Sequence, residues 1–470
     1  MPMVSFGEWL PDQPGIAGSL TEALNVVPQA IGYGPLPAVA EISSAASEAL
    51  NDLFAGQFSG NITLFASSDT KLFTFSNTTL SLSNVSKAGG YSGTRWNFAQ
   101  FGKIVLAANG SQKIQAYSLG TSALFADVAA AAPAAKFVTV IRDFVVAAHT
   151  TANPNRVYWS DINDETNWTS STASQSDIQD IADGGNIQGI VGGEFGIVYN
   201  ERSISRMSYA GSPLYFQFDT ISRGLGCLER NSIAQFGSVS FFLSDDGFYM
   251  CDGQSIKPIG AEKVDRWFFN DITLSRIGEM SAAVDPVRRC VFWCYPNSVS
   301  GGRSLLIYNW QVGRWSHGYT DAQYIAEAAT NAMTLEALDN YGNLDNLSVS
   351  LDSRFWSGNK LLLGGVNGTK VVTFQGNNSI SEIITGDLSS TPSLIKLARP
   401  QIDGGSASVS VASRSLLSDS LIYTNAVAAD SENRVGLRSH GRYHRIKTIP
   451  TGSWTTAVGI DLDIVNRGKR

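Results

Sequence analysis

The feature that most constrains this chain is a strand unit that returns along most of its length. Short apolar runs lie at Ile62 to Ala66, Ile104 to Ala108, Phe144 to Ala148, Gly196 to Tyr199, Val239 to Leu243, Cys290 to Tyr295 and Lys360 to Leu363. They are mostly about forty to fifty residues apart, and the last gap is wider. A polar turn and a second strand follow each run. A repeat of that length, made of about four short strands, is the blade of a β-propeller, in which radial stacking leaves only short exposed edges. The span 52–376 has room for six or seven such units, so an all-β propeller core is predicted. A row of separate sandwiches is the competing architecture, and the regular spacing favours the propeller. The repeats carry no Trp-Asp or kelch mark, so the prediction rests on spacing and alternation alone.

Composition agrees with many short strands. Hydrophobic residues make up 43% and charged residues 16%, enough apolar surface to pack and too little charge for a disordered chain. Glycine at 45 residues and aromatics at 10% suit strands joined by tight turns. Asn109-Gly110, Asp246-Gly247 and Asn367-Gly368 predict two-residue hairpins with positive φ at both central positions.

Several stretches depart from the repeat. Residues 1–51 are predicted to be an extended segment that docks on or closes the propeller. Ala129 to Ala135, with Pro133, reads as a connection. Residues 161–185 read as a long surface excursion, and an insertion around 317–352 is predicted, with one or two short helices between Asp321 and Leu338. Residues 377–470 read as a small C-terminal β domain. From Ser431 to Arg470 there are eight Lys/Arg against three Asp/Glu, a basic tail on a chain of net charge −7 and pI near 5.2. Arg442, Arg445 and Arg467 in that tail are predicted to face an acidic subunit or ring interface.

The acidic balance provides no general attraction for nucleic acid or an anionic membrane. Seven acids precede the first basic residue, Lys71, so no secretory n-region opens the chain. No apolar run approaches the roughly 20 residues of a membrane-spanning helix. These features predict synthesis in a cytosol and no membrane insertion.

No residue pattern names a catalyst, and no cofactor or metal is predicted. Cys227, Cys251, Cys290 and Cys294 contain no Cys-x-x-Cys pair. Cys290 and Cys294 sit four apart on an extended run, roughly 13 Å from each other, so buried reduced thiols are expected. The histidines are His149, His317, His440 and His444. The last two have the spacing of a helical zinc pair, but their neighbours read as extended. Asp161-Ile-Asn163-Asp-Glu165 begins like a calcium loop, yet Thr166 stands where that loop needs glycine, so a capped turn is expected. Gly184 to Gly196 lacks a Walker lysine and fits close packing between blades.

Several segments resemble those of short-tailed bacteriophage tail proteins, over nearly the whole chain. They include Trp9-Leu-Pro-Asp12, Trp96-Asn-Phe-Ala-Gln-Phe-Gly102, Val140-Ile-Arg-Asp-Phe-Val-Val146 and Gln188-Gly-Ile-Val-Gly-Gly-Glu-Phe-Gly196. Arg202 to Tyr209, Gly211 to Asp219, Lys263-Val-Asp-Arg-Trp-Phe-Phe269, Ala283-Val-Asp-Pro286 and Leu306-Ile-Tyr-Asn-Trp310 continue the likeness. It is to the tail nozzle, or packaged-DNA stabilisation, proteins of podophages. The resemblance implies a propeller subunit of a homohexameric ring below the portal and adaptor. That ring would form the distal DNA-exit channel of the virion tail, hold back packaged DNA without reading its sequence, and dock fibres or spikes. A tail-associated glycan-degrading enzyme and a fibre-adaptor or receptor-binding module are the alternatives.

Overall fold

The computed structural model describes residues 3–15, 18–298, 302–329 and 361–466. It is an all-β propeller. Six sheets of four strands stand by themselves: 52–84, 97–127, 135–180, 187–223, 234–258 and 324–373. The last is completed on its outer edge by Ala40–Glu41 from the N-terminal segment, which pairs Glu41 with Val372. Four further strands within 281–320 fill the remaining place in the ring and continue outward into a fourteen-stranded sheet. There are thus six free-standing blades and a seventh shared with the C-terminal region.

The seven runs singled out from the sequence are each the second strand of a blade, for example Ile104–Ala108, Phe144–Thr150 and Cys290–Pro296. The reason is physical. A middle strand is covered by a neighbouring blade on each face, so it reads as a continuous apolar run instead of an alternating one. Every residue of Cys290–Pro296 is buried, as is every residue of Gly196–Asn200.

Adjacent blades touch through their innermost strands. Gln100 exchanges hydrogen bonds with the Gln57 backbone, its Nε2 donating to the carbonyl at 2.6 Å and its Oε1 accepting from the N–H at 3.0 Å. Asn97 Oδ1 accepts from Val138 N–H at 2.8 Å. Gly192 and Gly196 belong to this packing. A Cβ on Gly192 would sit 2.1 Å from the Val140 carbonyl oxygen, and one on Gly196 would sit 2.2 Å from Ile141 Cδ1.

Three sequence expectations are corrected. The three Asn/Asp-Gly dipeptides do lie between consecutive antiparallel strands, but none has positive φ at both positions. The Ser244↔Gly247 pairing makes Asp245-Asp246 the loop, and Asn367↔Lys370 makes it Gly368-Thr369. At Asn109 the side-chain carbonyl accepts from Ser111 and Gln112 N–H instead, holding a longer loop. Within 161–185, Asp177–Asp180 is the outer strand of its blade. Between 317 and 352, Tyr324–Ala329 is a strand, paired with Leu361–Asn367, because the ring needs an innermost strand there whatever its local helix propensity. The rest of that expected insertion, from residue 330, lies outside the described residues, as does Lys360.

The N-terminal segment and the C-terminal strands lock the ring to the rest. Leu20–Leu24 lies between Arg314–Thr320 and Glu382–Thr385, pairing Leu24 with both His317 and Glu382. Ile383 pairs with Thr448 on the long strand Val435–Thr451, and Met3–Ser5 pairs with Thr456–Asn466. One buried apolar cluster runs through all three parts and includes Phe6, Trp9, Leu243, Trp293, Trp315 and Ile446.

Candidate functional site: the channel mouth and the N-terminal anchor

The innermost strands of the seven blades surround a channel. At the end where those strands begin, a cavity of about 520 Å³ takes residues from every blade, among them Asn51, Arg95, Lys136, Gln188, Arg230 and Tyr324. A second cavity of about 400 Å³ lies deeper and includes Phe54, Phe98, Ile190, Ala283 and Glu327.

Charge at the mouth is unevenly committed. Arg95 donates from Nε to Asp52 Oδ2 at 3.2 Å and from Nη1 to the Met280 carbonyl at 2.8 Å, and its guanidinium lies 4.9 Å from the Tyr324 ring centre. Arg303 stacks on the same ring at 5.4 Å and pairs with Glu279 at 2.6 Å. Glu229 accepts from Asn231 N–H and Nδ2–H, at 3.1 and 2.9 Å, and Asp69 Oδ1 accepts from Asn51 Nδ2 at 2.8 Å. Burial, and then the nearby Arg95 charge, hold Arg230 below the usual arginine range. Burial and then Arg230 do the same to Lys136. Deeper in the channel Glu327 reaches the lumen but is walled by protein, and that desolvation pushes its carboxyl up to about 7 against a hydrogen bond from the Val284 backbone.

The second built feature is an anchor in which two of the quoted segments meet. Asp12 accepts at both carboxylate oxygens from the first turn of the short helix Asp265–Asp271, Arg266 N–H at 2.9 Å and Trp267 N–H at 2.7 Å. Trp9 is 1% exposed, with its ring edge-on to Trp267 at 4.9 Å and stacked on His317 at 4.7 Å. His317 hydrogen-bonds Glu22. Asp265 is wedged against Gly247 and Gly260, where a Cβ would come within 2.1 and 1.9 Å of its carboxylate. Burial raises its carboxyl to about 7, and Asp12 and Asp246 add to that against a hydrogen bond from Phe248 N–H.

The residues singled out from the sequence do not come together. Arg445 is committed within the chain: its Nε and Nη2 donate to Asp387 at 3.0 and 2.9 Å, and Arg414 shares that carboxylate at 2.7 Å. Arg442 is exposed and lies 5.6 Å from the Tyr443 ring centre. Arg467 lies outside the described residues. His440 and His444 are on one extended strand, as expected. His444 is buried between Ser393 Oγ at 2.9 Å and Ser413 Oγ at 2.7 Å, and burial lowers its pKa. The run from Asp161 is the expected capped turn, with Asp164 Oδ1 accepting from Thr166 N–H at 2.9 Å. All four cysteines are free and buried, and desolvation pushes Cys227 and Cys294 up to about 12. Among the described residues no three His, Cys, Asp or Glu side chains form a metal-binding group.

Sequence reading missed the channel mouth. Arg95, Lys136 and Arg230 are isolated basic residues in sequence, and the one available signal is their shared place just before or at the start of a blade's first strand.

No protein-family model matches the chain, and no curated protein does. Among solved structures, 71% of the chain is similar to 97% of BamB from Moraxella catarrhalis, with 11% identity and a TM-score of 0.37. A similar share, 71%, is similar to 99% of the computationally designed Ika8 protein, with 10% identity and a TM-score of 0.35.

Proposed function

We propose that this protein is a structural subunit of a short phage tail, a nozzle component that assembles as a ring of six copies. The observation that carries the reading is mechanical. Blade strands 281–320, the N-terminal strand Leu20–Leu24 and the C-terminal strands form one hydrogen-bonded sheet, so the propeller and the C-terminal region transmit load as a unit. A collar that holds back pressurised DNA needs that continuity, because a hinge between two bodies would open under load.

The DNA path in this reading lies between protomers. Cavities of about 400 and 520 Å³ inside one propeller cannot pass a duplex whose major groove alone is ~12 Å wide. The low charge density then suits a lumen wall, since strong phosphate contacts would retard a passing duplex. The adaptor or portal ring would bind at one face, and fibres or spikes at the rim. Mass photometry and negative-stain imaging of the purified full chain, alone and with its adaptor ring, test this. Closed rings of six support it. A monomer under both conditions refutes it.

A further inference from the structure

We propose that the channel mouth of the propeller is a binding site for a small multivalent oxyanion of the phosphate or carboxylate class, gripped by Arg230 and Lys136. This goes beyond the tail reading and does not rest on it.

The first ground is the state of the two cations. Among the described residues the Arg230 guanidinium forms no hydrogen bond or ion pair, and the Lys136 ammonium makes only a long contact with the Phe137 ring, 5.9 Å from its centre. Both line the same cavity of about 520 Å³. Arginine and lysine drawn away from water are ordinarily paired, because an uncompensated charge in a partly dry site is costly. The nearby acids have other hydrogen-bond partners: Glu229 and Asp69 at the mouth accept from Asn231 and Asn51, and Asp52, which lines the deeper cavity, accepts from Arg95. The two cations come from different blades, and after burial the Arg230 charge lowers the pKa of Lys136 while Arg95 lowers that of Arg230. Glu229 lies near both cations and offsets part of their repulsion, but among the described residues no carboxylate forms an ion pair with either.

The second ground is the surrounding donor set. Gln188, Asn231 and Gln323 line the cavity as amide side chains, and Arg95 is pinned on its far side by Asp52, the Met280 carbonyl and the Tyr324 ring. A guanidinium fixed in this way presents its remaining N–H groups without further loss of rotamer freedom, which suits the fork geometry of an oxyanion. The volume admits a pyrophosphate- or citrate-sized ligand and excludes a duplex.

The test is calorimetric titration of the full chain with pyrophosphate, citrate and orthophosphate at low ionic strength, where charge contacts are least screened. Pyrophosphate or citrate is expected to bind with Kd below ~1 mM, and Arg230→Gln or Lys136→Met to weaken it by at least about tenfold. Lys103→Met, an exposed lysine outside the cavity, is expected to leave the affinity unchanged. Because the substitutions remove a repulsion, both mouth variants should melt no lower than the parent without ligand, which separates lost binding from lost folding. Absence of binding by ~10 mM of every probe overturns the site. So does equal affinity in the mouth variants, or an equal loss in Lys103→Met, which would mark diffuse charge attraction.

Discussion

Replacing Asp265 with Asn should stabilise this protein at neutral pH and do nothing in acid. The carboxyl sits against the Cα atoms of Gly247 and Gly260, accepts one hydrogen bond from Phe248 N–H at 3.1 Å, and faces the carboxylates of Asp12 and Asp246. Its pKa is raised from 3.8 to about 7, mainly by desolvation. At 1.36 kcal/mol per unit that shift has a ceiling of ~4 kcal/mol. The group remains partly open to water, and screening reduces the expected value to ~1–2 kcal/mol. The sign follows from proton uptake. Between pH 3.8 and about 7 the folded chain holds this proton and the unfolded chain does not, so the group's contribution to stability falls as pH rises through that window. Asn keeps the acceptor for Phe248 and removes the charge. Urea midpoints at pH 8 should therefore be higher for Asp265→Asn than for the parent, and the gap should close by about pH 4. A variant less stable at pH 8, or a difference independent of pH, would refute the reasoning.

Four other outcomes are expected. Asp387→Ala strands Arg414 and Arg445, whose side chains are only 10% and 17% exposed, and should cost ~3–5 kcal/mol by chemical denaturation. Gly192→Ala drives a methyl toward the Val140 carbonyl at 2.1 Å, and a loss of ~1–3 kcal/mol in the same assay checks the close approach of those blades. Trp9→Ala empties the space between Trp267 and His317; it should lower stability by ~3–5 kcal/mol and expose the N-terminal segment to limited proteolysis. At pH 8 a thiol reagent should label none of the native cysteines and all four after denaturation, because each is buried and its thiolate is disfavoured.

What was legible in the sequence is what burial on two faces writes into it. The second strand of each blade is covered on both sides, so its apolar residues are contiguous, and seven such runs at mostly even spacing disclosed the propeller. The glycine-rich stretch at 184–196 was legible for a related reason, since at Gly189, Gly192 and Gly196 a side chain would run into a neighbouring blade. Turn geometry was less so. Asp246-Gly247 marks a hairpin, but the register that makes Asp245-Asp246 its loop is set by the strands on either side.

The chain's own residue order determined an all-β repeat, an apolar run in every blade and a net charge of −7. Tertiary structure decided the rest: that Tyr324 to Ala329 gives up its helix propensity to complete a ring, that residues 20–24 join blade strands to strands beyond 380, and that Asp387 pairs Arg445 of the basic tail together with Arg414. It also gathered Arg95, Lys136 and Arg230, which lie 41 and 94 residues apart along the chain, around one opening. Local pattern reports how each strand is buried; ring closure brings together side chains whose separation in sequence carries no trace of their contact.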